Sequence, residues 1–439
     1  MESTGKQLTA KQMKSKFYAI AIPVVVLCFI SQYIYPALPT DQLNFLFPYL
    51  AETFGWDPTV LATPLTIGRL LCIPFTFIFG TIIAKKGYKW LFSICIVLLG
   101  ICEMMLAFVK SFALYCIPAA LIPILSAALL MGAFACINSW FDRWRGRVLG
   151  IITLSSPLSA LITFNILNNG QKAIGFPKTV IFYSLAIIAV GILTIFVIKE
   201  TPEEVGCYPD GADVPARVMA REDATLVNDI KVIHIAKHYQ IWLHAFAFGA
   251  MIFAIGCCCS FFNPVFQVQG YTDAQINGLL IGYSVLGMAL SALSGVIDDK
   301  FGTRTSAIVF AVLFVLGMIG FRFGNAETPW LTWVGMISLG GLVGAIPNLN
   351  PSMIAYIYGR DAFNSVNRFS NAITYILPSF SVIYMTTFTA IGGQGLNYKL
   401  AYNGLIIIAI LVLIAILLIN KKIDLTADVV KSQEKKAAK

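Results

Sequence analysis

The segment Gly295-Val-Ile-Asp-Asp-Lys-Phe-Gly-Thr-Arg304 carries the strongest fold signal in this chain. A related segment, Gly80-Thr-Ile-Ile-Ala-Lys-Lys-Gly-Tyr-Lys89, stands in the first half of the sequence. Both fit the frame G-x-x-x-(D/A)-K-x-G-x-(K/R), and each follows the second apolar block of its half. A motif that recurs at the equivalent place indicates a parallel internal repeat, which is typical of two-bundle transporters with a central site.

The composition around these segments predicts a membrane protein. Of 439 residues, 58% are hydrophobic and 12% are charged, against roughly 25% charged residues in a soluble domain. The apolar residues fall in blocks of about 20, the length that a helix needs to cross a ~30 Å hydrocarbon core. Blocks of this length without strict alternation predict helices and no barrel, so the expected fold class is all-α integral membrane.

Twelve membrane spans are predicted, in two six-helix bundles. The domains are an N-terminal tail (1–16), a first bundle (17–198), a cytoplasmic linker (199–237), a second bundle (238–420) and a C-terminal tail (421–439). The predicted spans are 17–38, 58–84, 90–109, 113–140, 146–168, 177–198, 238–264, 274–298, 303–323, 328–357, 362–391 and 400–420.

The distribution of basic residues predicts that both termini are cytoplasmic. Most of the 31 Lys and Arg residues fall on segments that would then lie inside, as the positive-inside rule requires. The first outer loop carries Asp41, Glu52 and Asp57 and no basic residue. The net charge of +9 is therefore a signal of topology, and no nucleic-acid partner is needed to explain it.

The repeated segments resemble the loop motif of the major facilitator superfamily. The second copy has the full form, whereas the first has Ala84 where the family usually has Asp. The resemblance implies twelve spans, transport by alternating access, a monomer, and a latch that closes the cytoplasmic side, with a carboxylate at the N-terminus of a neighbouring helix. Its candidate residues here are Gly80, Lys85, Gly87, Gly295, Asp299, Lys300, Gly302 and Arg304.

Two further segments resemble the oxalate/formate-type and monocarboxylate branch of that superfamily. They are Trp140–Arg147, between the fourth and fifth spans, and Glu200–Pro209, after the sixth. The resemblance implies a small anionic substrate, with a carboxylate as the expected class, and transport by a secondary carrier of the bacterial cytoplasmic membrane. The scarcity of acidic residues in the spans favours exchange or charge-driven uniport over a carboxylate proton relay.

Two arginines within predicted spans are the main candidate substrate residues. Arg69 lies near the middle of the second span, where burying a charge costs several kcal/mol, about 2.5–3.5 on insertion scales. It would either bind a substrate carboxylate or hold helices together through an ion pair or carbonyl groups. Arg368 would either line the same cavity or reach the cytoplasmic surface beside Asp361.

Neutral polar residues within the spans could orient a ligand beside the arginines. The first span offers no acidic residue, and Glu103 in the third is expected to be structural. An anionic substrate is therefore favoured, and a proton-coupled carrier of neutral or aromatic solutes is the alternative. The orienting candidates are Gln32, Tyr35, Asn263, Asn348, Asn371 and Tyr375.

No enzyme or metal site is predicted. The chain has no HExxH or GxSxG motif and no pair of aspartates within the spans. Nine of its ten cysteines lie in apolar blocks, and three consecutive helical residues such as Cys257–Cys259 cannot converge on one ion. No cofactor is expected. Small-molecule substrate and lipid bilayer are the expected partners.

Overall fold

The computed structural model describes residues 10–141, 144–211, 232–359, 363–390 and 397–419, together with residues 423 and 425. These residues form helices and connecting turns and contain no strand, which confirms the predicted all-α class. Most of both tails, residues 212–231 of the linker, and Asp142, Arg143 and Asp361 lie outside the described residues.

The helices before and after the linker are as follows. In the first half they are α1 (Ala10–Pro36), α2 (Leu43–Phe54), α3 (Pro58–Lys86), α4 (Lys89–Ala107), α5 (Phe112–Trp140), α6 (Arg145–Thr153), α7 (Ser155–Ile174) and α8 (Phe176–Val197). In the second half they are α9 (Val232–Ala236), α10 (Tyr239–Cys259), α11 (Phe262–Val268), α12 (Asp273–Phe301), α13 (Thr303–Phe323), α14 (Pro329–Tyr358), α15 (Phe363–Thr374), α16 (Ser381–Ala390) and α17 (Tyr398–Leu418).

The first span is longer than predicted. A π-helical turn, Ala37–Asp41, connects α1 to α2, so an apolar helical stretch of 41 residues runs from Lys14 to Phe54. Pro36 and Pro39 each lack an N–H group, and the wider π-turn continues the helix past them. Asp41, which was expected in an outer loop, therefore lies in this helical stretch and is only 5% exposed.

Three predicted spans are interrupted. The fifth, 146–168, is divided between α6 and α7, and the seventh, 238–264, is divided between α10 and α11. The eleventh, 362–391, is divided between α15, a 3-10 turn (Leu377–Phe380) and α16. The described residues contain eleven helices that are long and apolar enough to cross a membrane. Twelve spans remain the prediction, and the interrupted eleventh span accounts for the difference.

The helix contacts divide the chain into two compact units. Unit 1 comprises Met1–Pro39, Pro74–Ser159 and Ile166–Met219, and unit 2 comprises Thr40–Ile73, Ala160–Asn165 and Ala220–Lys439. Unit 2 thus contains segments from both halves of the sequence. The division into 17–198 and 238–420 stays a prediction about the internal repeat.

Glycines allow close helix packing within each unit. In unit 1, α4 packs against α8 and α5, and a methyl group added at Gly191 of α8 would lie 2.9 Å from the backbone nitrogen of Val97. In unit 2, α14 packs against α12 and α13, and a methyl group at Gly340 would lie 2.5 Å from the carbonyl oxygen of Tyr283. In a bilayer, apolar side chains gain little by leaving lipid, so helices associate mainly through van der Waals contact, which small residues make closer.

Candidate substrate site

Arg69 is held by two hydroxyl groups in unit 2. It is half-buried on α3, and its Nη1 donates to Ser381 Oγ at 2.5 Å, while its Nη2 donates to Thr40 Oγ1 at 3.4 Å. Ser381 is fully buried at the first residue of α16. The guanidinium thus joins α3 to a helix of the second half of the chain.

Gly256 makes room for this contact. A methyl group at Gly256 of α10 would lie 2.5 Å from Ser381 Oγ and 3.9 Å from Arg69 Nη1. The backbone of Ser381 is held from the same helix, because the Cys257 thiol donates to its carbonyl oxygen at 3.3 Å. The position of Ser381 beside Arg69 therefore depends on a glycine that sequence reasoning did not identify.

Asn44 fills the interruption between α10 and α11. Its Nδ2 donates to the carbonyl oxygen of Cys259 at 2.7 Å, and its Oδ1 accepts from the backbone N–H of Asn263 at 2.9 Å. Residues 259 and 263 are the pair that would share an i→i+4 hydrogen bond in a continuous helix. The side-chain amide of Asn44 is inserted into that missing bond, and it also donates to the carbonyl oxygen of Asp41 at 2.8 Å.

A small cavity lies beside Asn44. It has a volume of about 10 Å³, which fits about one water molecule. Asn263 lines it and is 8% exposed, and its Oδ1 has no hydrogen-bond partner among the described residues. The full lining consists of Asp41, Asn44, Phe45, Ala160, Phe164, Phe262, Asn263 and Leu280.

These contacts form part of a line of hydrogen bonds that we call the polar seam. The polar seam joins segments 40–73 and 160–165 to the second half of the chain within unit 2. Besides the bonds of Arg69 and Asn44, it contains a bond from Thr59 Oγ1 to the carbonyl oxygen of Thr386 (3.3 Å) and a bond from Asn165 Nδ2 to Asn277 Oδ1 (2.8 Å).

A second polar cluster in unit 2 contains one of the predicted residues. Asn371 Oδ1 accepts from Asn350 Nδ2 at 3.5 Å. His244 is fully buried, with Nε2 3.2 Å from the carbonyl oxygen of Asn350 and Nδ1 3.0 Å from Ser370 Oγ. These bonds tie His244 into the packing of unit 2, and they place Asn350 at the centre of the cluster.

The other predicted residues of this region lie on more accessible surfaces. Arg368 and Asn348 are exposed, and Tyr375 is half-buried. Arg368, Asn371 and Tyr375 follow one another at i, i+3 and i+7, so they share one side of the turn-and-helix segment that contains α15.

The predicted candidates of the first span lie in unit 1. Gln32 is 1% exposed, and its Nε2 has no hydrogen-bond partner among the described residues. Tyr35 is half-buried. The neighbouring Tyr33 hydroxyl lies 2.8 Å from the Tyr183 hydroxyl, so this part of α1 carries polar groups at the end nearest the π-turn.

The first motif segment forms a contact that we call the Glu200 clasp. The carboxylate of Glu200 accepts from the backbone N–H groups of Tyr88 (3.0 Å) and Lys89 (2.8 Å), where α4 begins. A carboxylate at a helix N-terminus satisfies unpaired N–H groups and interacts favourably with the helix dipole. Ser139 Oγ donates to the carbonyl oxygen of Glu200 at 2.7 Å. Glu200 thus acts as the capping carboxylate where the motif lacks one at position 84.

Tyr88 and Gly87 complete the Glu200 clasp. The Tyr88 hydroxyl lies 2.7 Å from the carbonyl oxygen of Lys199, and burial raises the pKa of this hydroxyl, which keeps it a donor. Gly87 has φ of +82°, and a methyl group there would overlap the Glu200 carboxylate. Glycine is therefore required at this position for two reasons, backbone conformation and space.

The second motif segment has a different set of contacts. Gly302 has φ of +85°, and a methyl group there would meet nothing within 4 Å. Arg304 Nη2 donates to the carbonyl oxygen of Leu417 at 2.9 Å, near the C-terminus of α17, where a cation is favourable. Lys85, Lys300 and Gly295 are exposed, while Gly80 lies close to Met131. The side chains of Ala84 and Asp299 lie outside the described part of the chain.

Several proteins are similar to this chain in sequence, over very different lengths. It is 22% identical to the probable nitrate transporter NarT of Staphylococcus epidermidis over 387 residues, which cover 86% of this chain and 91% of NarT. It is 29% identical to the inner membrane protein YihN of Escherichia coli over 153 residues, and 33% identical to inositol transporter 4 of Arabidopsis thaliana over 85 residues. These two matches span only 33% and 14% of the length of those relatives.

Solved structures share the fold at low identity. A D-xylose-proton symporter aligns with a TM-score of 0.69 and 12% identity, over 93% of this chain and 99% of that one. The nucleoside transporter NupG aligns with a TM-score of 0.65 and 12% identity, over 91% of this chain and 98% of that one. A sequence profile described as Major Facilitator Superfamily matches residues 22–382. The chain therefore belongs to the major facilitator superfamily and is a multi-pass membrane transporter rather than an enzyme.

Proposed function

We propose that this transporter carries a small organic anion, specifically a carboxylate, across the cytoplasmic membrane by alternating access and exchanges it for another anion. The observation that carries the proposal is the position of Arg69. Its charge lies half-buried in an apolar helix, with hydroxyl groups of Ser381 and Thr40 around it. A charge within the bilayer is costly, so a transporter that maintains one has a use for it.

The chemistry of a guanidinium suits a carboxylate. Its planar fork of donors can bind both carboxylate oxygens, and charge-assisted bonds of this kind are roughly twice as strong as neutral ones. The hydroxyl groups of Ser381 and Thr40 are neutral and can rotate away from the guanidinium. Arg69 can therefore pass from these partners to a substrate.

Other predicted residues would orient the substrate and accommodate its second end. Arg368, Asn371 and Tyr375 share one side of the α15 segment, and an anion with two carboxylates could engage Arg368 in addition to Arg69. Gln32, Tyr35, Asn263 and Asn348 are the neutral groups that we assign to orientation. The unpartnered Nε2 of Gln32 and Oδ1 of Asn263 are a donor and an acceptor that a polar ligand or water can satisfy.

One relative supports an anion as the substrate class. NarT, which matches over most of both chains, is named for nitrate, and nitrate is a small planar anion like a carboxylate. The relatives named for inositol, D-xylose and nucleosides match over a short segment or share only the fold.

A second candidate function has one specific observation in its favour. Asp41 is buried within the long first helical stretch, whereas the sequence indicated no acidic residue in the first span. A carboxylate in that position could carry a proton, which favours a proton-coupled carrier of neutral or aromatic solutes. Replacement of Asp41 with Asn should then abolish proton uptake that accompanies solute entry.

The test is counterflow in proteoliposomes with a panel of mono- and dicarboxylates, nitrate, and neutral and cationic solutes. We expect exchange of at least one carboxylate, and a loss on the order of 100-fold in transport efficiency for Arg69→Gln, because one or two charge-assisted bonds are removed. Arg322→Gln is the matched control, since Arg322 is bonded to Asn403 at 2.7 Å on the exposed end of α13. Movement of neutral solutes alone, with proton uptake that depends on Asp41, would favour the second candidate.

A further inference from the structure

We infer that Ser381 is a stand-in ligand for Arg69: its hydroxyl occupies the guanidinium while no anion is bound, and an incoming carboxylate displaces it. Anion binding then breaks a bond that joins α3 to α16. This inference rests on the proposed function, because it assigns a competitor to the same arginine. It makes Ser381 a positioning residue that links occupancy of the site to opening of the polar seam.

The geometry around Ser381 suits this role. The Arg69–Ser381 bond, at 2.5 Å, is shorter than the bond from Arg69 to Thr40, at 3.4 Å. Ser381 is fully buried, Gly256 leaves room for its side chain, and Cys257 holds its carbonyl oxygen. The serine is therefore fixed on the α16 side, and Arg69 is the longer side chain that can change partners.

The strengths of the two bonds give the exchange its direction. A hydroxyl is a neutral acceptor, whereas a carboxylate is a charged acceptor that forms stronger and often bidentate bonds with a guanidinium. A carboxylate can therefore displace Ser381, and a neutral solute of the same size cannot. Selectivity for anions would arise partly from this step, because only an anion releases the contact between α3 and α16.

The same competition explains why an empty carrier would stay closed at the polar seam. Without an anion, the Arg69–Ser381 bond adds to the free energy that must be supplied to separate α3 from α16. When the binding-competent state of a carrier is only partly populated, its apparent affinity for the ligand is reduced by the populated fraction. Removal of the serine hydroxyl should raise that fraction, and with it the apparent affinity and the leak of the empty carrier.

The first measurement needs no substrate. Cys72 lies one turn after Arg69 on the same side of α3 and is half-buried. The rate of its reaction with a maleimide therefore reports exposure of the side of α3 that carries Arg69. In full-length protein in nanodiscs, with the Cys72 peptide quantified by mass spectrometry, we expect Ser381→Ala to be labelled about threefold to tenfold faster than the wild type. Ser379→Ala is the matched control, because Ser379 is also buried but donates to the backbone of Tyr375.

The second measurement separates KM from kcat with the carboxylate found in the counterflow panel. We expect Ser381→Ala to lower KM roughly threefold to tenfold and to raise net efflux without a counter-anion, while Ser381→Thr, which retains a hydroxyl, stays closer to the wild type. Ser381→Asp should keep a side-chain carboxylate on Arg69 permanently and stop transport. The added substrate anion should then no longer accelerate Cys72 labelling. Gel filtration confirms that each variant is folded.

The two proposals fail in different ways. If neither the wild type nor any variant carries an anion, the proposed function fails, and the competition between Ser381 and an anion for Arg69 fails with it. If a carboxylate is carried and depends on Arg69, but Ser381→Ala and Ser379→Ala show the same KM and the same Cys72 labelling rate, the proposed function stands and the role of Ser381 is overturned.

Discussion

The polar seam of unit 2 and the Glu200 clasp of unit 1 are two solutions to one problem, the joining of distant parts of a chain by polar groups. In the Glu200 clasp, both oxygens of a carboxylate accept from backbone N–H groups at a helix N-terminus. In the polar seam, the bonds use neutral amides and hydroxyls, with one arginine.

The difference lies in what each region loses when it opens. Release of the Glu200 clasp would leave a carboxylate and the N–H groups of α4 without partners, which is costly. Apart from those of Asn44 and Arg69, the bonds of the polar seam are single and neutral, and each contributes about 1 kcal/mol net. We therefore interpret the Glu200 clasp as a permanent joint and the polar seam as a contact that can be broken and reformed during transport.

The largest effect is expected from Asn44→Ala, which would show whether one member of the polar seam is structural. It leaves the carbonyl oxygen of Cys259 and the N–H group of Asn263 without their shared partner, at a cost of about 3–4 kcal/mol. Thermal unfolding in detergent should show a clear fall in Tm. Asn44→Asp keeps an acceptor for Asn263 but turns a second acceptor toward the carbonyl oxygens of Cys259 and Asp41 at a buried position, so it should lose at least as much. Equal Tm values for Asn44→Ala and the wild type would contradict the inserted-amide interpretation.

A matched pair of glycines tests the Glu200 clasp. Gly87→Ala and Gly302→Ala both force alanine into positive φ, at about 1 kcal/mol each. Only Gly87→Ala also pushes a methyl group into the Glu200 carboxylate, so we expect it to be destabilising by about 2–3 kcal/mol in total. The Tm of both variants should be measured under the same conditions. A larger loss for Gly302→Ala would show that the Glu200 contact is loose.

Glu200→Gln removes the charge of the Glu200 clasp and places an amide donor against one of two N–H groups. The expected loss of stability is about 1–2 kcal/mol, with an unchanged transport rate per folded molecule. Glu203→Gln, three residues later at an exposed position, should change stability by less than about 0.5 kcal/mol. If Glu200→Gln accelerates transport without loss of stability, the Glu200 clasp is itself a gate.

The smallest effect is expected from Thr59→Val, which removes the 3.3 Å bond to Thr386. We expect a loss of about 0.5–1 kcal/mol and faster Cys72 labelling, because one bond of the polar seam is absent. Thr63→Val is the control, since its hydroxyl donates to the carbonyl oxygen of Thr59 on the same helix. Identical labelling of the two variants would place Thr59 outside the contact that opens.

The sequence allowed the membrane class and family to be predicted, because apolar block length and a repeated motif are local signals. Arg69 was also identified locally, as a charge within an apolar block. Its partner Ser381 is 312 residues away, and Asn44 is 215 residues from Cys259. A single serine or asparagine in an apolar helix has no pattern that points to its partner, so these contacts could be found only in the folded chain.

The errors in span assignment have local physical causes. The first span was predicted to end at residue 38, but the π-turn carries the helix past Pro36 and Pro39. In the eleventh span, the polar residues of α15 and Pro378 indicate an interruption. The span was nevertheless assigned as one helix, because it was judged by its length alone. Asp41 was misplaced for the first of these reasons, and with it an acidic residue of the first helical stretch.

The inserted amide of Asn44 also has a consequence for synthesis of the protein. Asn44 leaves the ribosome 215 residues before Cys259, a gap of about 10–40 s at ordinary elongation rates of about 5–20 residues per second. Throughout that interval the amide must wait without its final partners, in lipid or in the insertion machinery. The first span therefore completes its hydrogen bonds only when the second half of the chain arrives, so maturation of the two halves is coupled from the start.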